Sequence, residues 1–386
     1  MKILLVGNHP FDGTHSLSMT IFADLLYSAL SARGHEVILA RPKARLWEWT
    51  GMGERLGKWY KYVEQFLFFP FELRRLEQWA DIVNICDHSN APFLDYLTGK
   101  PCLVTCHDVI GMKRALGFYR EERSSWMGRK LQEWTVRNLR RADRVACVSQ
   151  TVQRELEEML QLNGSRLSVV YNGLNFPYAP MDEASIEKTL RLLGIPLDRP
   201  FILHVGSDEW KKNRRGVVEM FAELRRLNHP SAGHLVFAGA PLSREMSNYL
   251  EEQGLAGDVS AFENVSGEVL CALYSKAALL LFPSLYEGFG WPIIEAQACS
   301  CLVVTSNRDP MREVSGNGAI AIDPETPIES ARMIARMTRT EVENIRLLGL
   351  ENARRFSPQA MVKEYENLYR MLATPSKNSS AVASAV

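Results

Sequence analysis

The sequence predicts an α/β protein built from two doubly wound parallel sheets, one in each half of its 386 residues. Three observations carry that expectation. The chain is long for a single core, so two domains of roughly 150 to 200 residues are the natural division. Each half opens on an apolar run ending in glycine, KILLVG (Lys2 to Gly7) and FILHVG (Phe201 to Gly206), followed by a helical pattern and a second apolar run. The later apolar runs are short and separated by helical stretches, as expected of parallel strands covered on both faces.

In the first half, helical periodicity runs from Thr20 to Gly34, where glycine ends it, and HEVILA (His35 to Ala40) is the next strand. Strand, helix and strand make one βαβ unit. Further strands are expected at Asp81 to Ile85, Pro101 to Thr105 and Arg144 to Val148. The pattern restarts after LSVVYNGLN (Leu167 to Asn175) and a stretch containing Pro177 and Pro180. There FILHVG leads through a loop to a helix from Arg214 to Leu227 and then to HLVFAG (His234 to Gly239). Strands follow at Val259 to Phe262, Ala278 to Phe282 and Leu302 to Thr305. Ser357 and Pro358 form a good cap and first-turn pair for a final helix reaching Leu372. The expected division is 1–178 and 179–356, with 357–374 a helix returning to the first domain and 375–386 a small, polar, disordered tail.

Composition narrows the function classes. Lysine plus arginine and aspartate plus glutamate number 45 each, so no overall field argues for nucleic acid or an acidic polymer. The seven cysteines (Cys86, Cys102, Cys106, Cys147, Cys271, Cys299 and Cys301) lie mostly in apolar runs without a CxxC pair. They read as buried thiols in a reducing compartment, not as a zinc site or a disulfide frame. The N-terminal run is interrupted too early for a secretory segment, and no stretch offers about 18 uninterrupted apolar residues. The expected location is cytoplasmic, with any membrane contact peripheral.

Chemistry-bearing residues cluster at the carboxyl ends of the expected strands, where ligands bind in such sheets. In LFPSLYEGFGWPIIEAQ, Glu287 and Glu295 stand on either side of a Gly-Phe-Gly-Trp-Pro turn. Pro292 suits a first helical position, which places Glu295 in the first helical turn. Gly288 and Gly290 allow close backbone approach, and the amides opening the helix favour an anion. The alternative is that Glu295 complements the helix dipole while Glu287 is a solvated loop residue. HVGSDEWKKNRRG places Lys211 and Lys212 before a helix that Asn213 can cap; an anionic ligand would explain lysines there, and solvation is the other reading. VTCHDVIG puts His107 and Asp108 directly after a strand, a pair that is also common in purely structural settings. GNHPFDGTHS, with Gly7 and Gly13, permits a turn at a helix entrance.

Together these pieces resemble the retaining glycosyltransferases of family 4, which have the GT-B fold: two Rossmann-like domains facing each other across a deep cleft. HVGSDEWKKN, LVFAGAP, LYSKAALLLFPSLYEGFGWPIIEAQACSCLVVTSN and PMREVSGNGAIAIDP follow that family's order and spacing, and VTCHDV, ADRVACVSQTVQREL and VVYNGLN extend the resemblance into the first half. Glu287 and Glu295 match its E-x7-E motif. The resemblance implies transfer of a sugar from a UDP- or GDP-sugar to a glycan or lipid-linked hydroxyl, with retained configuration and no metal or other cofactor. Glu295 is then the ribose-binding carboxylate. Glu287, with Gly288, Phe289 and Gly290, contacts the donor sugar and its phosphate; Lys212, with Lys211, is the pyrophosphate ligand; His107 faces the sugar. Gly13 and Val265 join the donor-binding set, and Asp108 and His88 are acceptor-side candidates. The chain departs from many relatives at Ser207, where they have arginine, and has a single glycine, Gly13, where they often have two. The competing readings are an inactive nucleotide-sugar-binding protein of the same fold and a GT-B phosphorylase, for which no pyridoxal phosphate lysine is identifiable.

Residues 44–80 interleave aromatics (Trp47, Trp49, Trp59, Tyr60, Phe66, Phe68, Phe69, Phe71) with basic residues (Arg55, Lys58, Lys61, Arg74, Arg75), and residues 113–144 are rich in arginine and lysine. Such a surface suits an anionic bilayer interface, whereas the same aromatics could serve as packing within the first domain.

Overall fold

The computed structural model describes residues 1–8, 17–43, 63–118, 125–162, 164–196 and 198–374. They divide into two compact units: Met1–Tyr171 with the chain from Pro358 onward, and Asn172–Ser357.

The first unit runs β1 (Lys2–Val6), α1 (Leu17–Ala32), β2 (Glu36–Ala40), α2 (Phe69–Trp79), β3 (Ile82–Ile85), β4 (Cys102–Cys106), α3 (Ile110–Ala115), α4 (Trp126–Leu139), β5 (Arg144–Cys147), α5 (Gln150–Leu160) and β6 (Leu167–Val169). Its six parallel strands are ordered β2-β1-β3-β4-β5-β6. The C-terminal helix (Pro358–Ala373) completes this unit. Its Tyr369 hydroxyl accepts from Asn84 Nδ2 on β3 at 2.8 Å, and Tyr365 meets Thr105 Oγ1 on β4 at 3.0 Å. Glu366 of the same helix binds Arg33 (2.7 and 2.9 Å) and His35 (2.9 Å).

The second unit runs α6 (Glu183–Leu192), β7 (Phe201–Gly206), α7 (Arg214–Arg226), β8 (His234–Gly239), α8 (Arg244–Glu252), β9 (Val259–Glu263), α9 (Gly267–Lys276), β10 (Leu279–Phe282), α10 (Trp291–Ala298), β11 (Val303–Ser306), α11 (Met311–Ser315), β12 (Ala319–Ile322), α12 (Pro327–Ala335) and α13 (Arg339–Ala353). Its parallel order is β12-β11-β10-β7-β8-β9, which reverses between β7 and β10. Ile202, Leu235, Leu281 and Val304 line the core between this sheet and the helices around it.

Two strands escape the apolar-run reading, β6 and β12. Each lies at an edge of its sheet, where only three or four residues pair, and Ala-Ile-Ala-Ile has too little bulk to announce a strand. All seven cysteines are free and buried. Among the described residues, no helix is long and apolar enough to cross a membrane.

Candidate active site

The reversal between β7 and β10 opens a crevice at the carboxyl ends of those strands, and the loops leaving both converge there. β7 ends at Gly206, paired with Gly239 of β8. At Gly239 φ is +131°, and a Cβ would lie 2.7 Å from the Gly206 carbonyl oxygen, so only glycine fits. Beyond β7 the chain makes a short turn, Trp210–Lys212, closed by Asn213 in the left-handed region at φ 52°. Asn213 caps α7, as its sequence position suggests: its Oδ1 accepts from Gly216 N at 3.3 Å. Its Nδ2 also donates to Pro283 O and Pro324 O, which ties this loop to the end of β10. Arg214, read from sequence only as the start of this helix, is buried and donates to the carbonyls of Gly206, Ala240 and Pro241. An arginine in the first turn of a helix is out of place with respect to the dipole, and that was its available signal.

These constraints place Lys212 Nζ 2.6 Å from Glu287 Oε1, with the two side chains 14% and 10% exposed. Lys212 also lies over the Phe282 ring, 5.0 Å from its centroid, and its stem passes Gly206, where a Cβ would come within 3.1 Å of Lys212 Cδ. Buried His204 donates through Nδ1 to the Leu281 carbonyl (2.9 Å), and burial lowers its pKa to about 3, so it stays neutral beneath the lysine. Lys211 takes another direction, pairing with Glu209 at 2.8 Å. Val265 lies half-buried on the turn from β9 to α9.

Glu287 leads into Gly288, Phe289 and Gly290, all buried. Gly290, at φ +97°, is the N-cap of α10, so Trp291 and not Pro292 is the first helical residue. The expectation that Glu295 sits in the first helical turn is therefore corrected. It lies in the second turn, too deep for a role at the helix end, because the left-handed glycine starts the helix one residue early. Glu295 is 4% exposed, and burial raises its pKa to about 7 against the hydrogen bonds it accepts from Tyr274 and Asn175. Neither donor was assigned a role from sequence, although a tyrosine in an apolar stretch needs a partner for its hydroxyl.

In the first unit, the carboxyl ends of β1, β3 and β4 carry a separate buried polar network. Asp87 accepts from Asn8 Nδ2 (2.5 Å) and from Ser89 N and Oγ (3.0 and 2.7 Å), while Asn90 Nδ2 donates to Asn8 Oδ1 (2.6 Å). His88 Nδ1 stands 3.2 Å from Asp87 Oδ1. Burial alone would push His88 down, but Cys106 and Asp87 beside it hold it well above the usual histidine value. His107 is pushed the other way by burial; its Nε2 meets the Cys86 carbonyl at 2.8 Å and its ring stands edge-on to Phe22. Asp108 turns back on its own chain, Oδ1 accepting from Ile110 N at 2.9 Å. Gly13 lies outside the described residues.

Two six-stranded parallel sheets, each with helices around it, make the two-domain GT-B fold. Sucrose-phosphate synthase from Thermosynechococcus elongatus has the same fold, with a TM-score of 0.75 at 19% identity over 96% of this chain and 99% of that one. So has HepE from Anabaena, solved in complex with UDP-glucose, with a TM-score of 0.73 at 16% identity over 96% of this chain and 100% of that one. Residues 185–361 match the family described as Glycosyl transferases group 1, and residues 19–176 match Glycosyltransferase Family 4. O-antigen chain mannosyltransferase B of Escherichia coli is 26% identical over 277 residues, 70% of each protein. The chain belongs to the GT4-type glycosyltransferases, and its chemistry is glycosyl transfer.

Proposed function

We propose that the protein transfers a hexose, with retained anomeric configuration, from a UDP- or GDP-sugar to a hydroxyl of a glycan or lipid-linked acceptor, without a metal, in the assembly of a polysaccharide or glycolipid. The observation that carries this reading is the Lys212–Glu287 pair at the strand-order reversal, beside the glycine loop that opens α10. Cleavage of the donor leaves negative charge on a diphosphate, and a positioned ammonium with helix-opening amides stabilises that charge more in the transition state than in the ground state. Lys212 is that ammonium. Glu287 lies beside the sugar carbon that gains positive character, Glu295 accepts from the ribose, and the departing phosphate takes the acceptor's proton on the same face. His107, neutral and buried, is the sugar-facing group of the first unit. Support for a nucleotide-sugar donor comes from the UDP-glucose in the HepE structure, and support for a glycan acceptor from the mannosyltransferase named for the O-antigen chain. The test is transfer from UDP- and GDP-hexoses in EDTA, with the product anomer read by proton NMR. An inverted product, or donor consumption that needs added metal, refutes the mechanism.

The acceptor reading includes contact with an anionic bilayer. The aromatic segment divides in two. Phe66 and Phe69 pack inward on Phe93, and Phe66 also meets Trp134, as the packing alternative requires. Leu67, Phe68 and Phe71 are exposed, as are Leu116, Phe118, Trp126 and Met127 around α3 and α4, with Arg74, Arg75, Arg129 and Lys130 also at the surface. Exposed apolar and aromatic residues close in sequence to surface cations suit the interface of an anionic leaflet. Trp47, Trp49, Arg55, Lys58, Trp59, Tyr60 and Lys61 lie outside the described residues.

A further inference from the structure

The inner side of Glu295 carries an arrangement that no motif announced. Its two carboxylate oxygens are engaged separately: Oε2 accepts from the Tyr274 hydroxyl at 2.8 Å, and Oε1 from Asn175 Nδ2 at 3.2 Å. The donors come from different parts of the second unit. Tyr274 belongs to α9, is wholly buried, and is fixed edge-on against Tyr178 with ring centroids 5.9 Å apart. Asn175 belongs to the segment that enters the unit, and Trp291 Nε1 on α10 donates to Gly173 O in that segment at 2.9 Å. The helix bearing Glu295 and the segment bearing Asn175 are thus joined twice. Each carboxylate oxygen accepts along two directions, so one protein donor on each leaves a second direction on both.

The geometry points to Tyr274 and Asn175 as positioning residues that turn the Glu295 carboxylate so that its two remaining acceptor directions meet the vicinal hydroxyls of the donor's ribose. This rests on the donor-site reading above. Tyr274, fully enclosed, touches no ligand and acts only through Glu295. A carboxylate accepts from both hydroxyls at once, whereas its protonated form gives up one acceptor site to its own hydrogen. Burial already favours the protonated form, and the Tyr274 hydrogen bond opposes it. Removing the hydroxyl therefore weakens ribose binding most at the lower end of the pH range.

The experiment titrates the full-length protein with UDP, GDP and ADP by calorimetry, and follows the tightest of the three, with its 2′-deoxy form, from pH 6.5 to 8.5. Tyr274→Phe is expected to bind about ten-fold more weakly at pH 6.5, to approach wild type at pH 8.5, and to lose most of the discrimination against the deoxynucleotide. In turnover the donor KM rises while kcat stays within about three-fold. Glu295→Gln binds weakly at every pH, without the slope. If Glu295→Gln weakens binding but Tyr274→Phe keeps the wild-type affinity, slope and discrimination, the positioning role is overturned and the donor site stands. If both variants bind like wild type, or wild type binds none of the three nucleotides, the donor-site reading itself is overturned. Should near-UV circular dichroism show Tyr274→Phe to be misfolded, Asn175→Ala, at a half-buried position, carries the same expectation with a smaller amplitude, and an unchanged slope there overturns the proposal equally.

Discussion

Replacing Lys212 by methionine separates catalysis from structure, because methionine keeps the stem that passes Gly206 but removes the ammonium that lies over Phe282 and its charge. At 2.6 Å, and with only 14% and 10% of the two side chains exposed, Lys212 and Glu287 are little screened. Opposite charges about 3 Å apart at an effective dielectric of about 20 attract by about 5 kcal/mol. Stripping each ion of water costs several kcal/mol, so the pair as a whole contributes close to nothing to stability. Breaking it from one side is different: Lys212→Met leaves Glu287 nearly buried without its partner, at a cost of about 3 kcal/mol. Adding Glu287→Gln removes that unpaired charge and should return most of the loss, giving a coupling of about 2 kcal/mol in the double-mutant cycle. Activity follows the opposite rule. Without the ammonium, stabilisation of the leaving diphosphate falls and kcat drops about 100- to 1,000-fold, and the second substitution restores none of it. Urea unfolding of the four proteins gives the stability cycle, and nucleotide release from UDP- or GDP-hexose gives the activity cycle. A double variant that turns over within ten-fold of wild type would falsify the catalytic assignment and leave an ordinary internal ion pair.

Gly239→Ala places a side chain at φ +131° and a Cβ 2.7 Å from the Gly206 carbonyl oxygen, so thermal unfolding should show a loss of about 3 kcal/mol; a Tm equal to wild type contradicts the close approach. Glu366, held down to about 2 by its hydrogen bond from Arg33 and by His35, has a folded-state value below its ordinary 4.5. Its contribution is complete above pH 4.5 and fades as pH falls towards 2, so the stability gap between wild type and Glu366→Gln, about 1–3 kcal/mol at pH 7, should close across that window. A gap independent of pH would rule this out. For the first-unit surface, Phe68→Ser, Phe71→Ser and Trp126→Ser together should abolish flotation with anionic liposomes at low salt while leaving Tm unchanged; undiminished flotation, or none by wild type, ends the membrane reading.

The strands of both sheet centres were legible because each is a continuous apolar run ending where a loop begins: Phe201–Gly206 and His234–Gly239 have the observed bounds. Of the four edge strands, β2 and β9 were legible as five-residue runs, whereas β6 and β12 were not, being paired on one side only and three or four residues long. The motif residues Lys212, Glu287 and Glu295 were named from their spacing and their resemblance to a family, but their company was hidden. Nothing in the order of residues shows that Asn213 ties two loops together through Pro283 and Pro324, or that Tyr274 lies under Glu295. Those contacts join positions 21 to 111 residues apart, and only the folded sheet brings them within hydrogen-bond reach. The helix register around Glu295 failed for a local reason. Proline at position 292 suits the first or second helical residue equally, and only the backbone of Gly290 decides between them.

The C-terminal helix, whose Tyr365 and Tyr369 lie against Thr105 and Asn84, sets an order of assembly. Residues 172–357 are contiguous and can close their own core while the ribosome is still at work, but the first unit waits for this helix until the whole of the second has been made. For that interval the part of its sheet that this helix covers, around Asn84 of β3 and Thr105 of β4, is exposed, a surface that chaperones can hold and that a truncated chain would expose permanently. A stop codon just before Pro358 therefore removes far less sequence than it removes structure, and the damage falls on the half of the molecule made first.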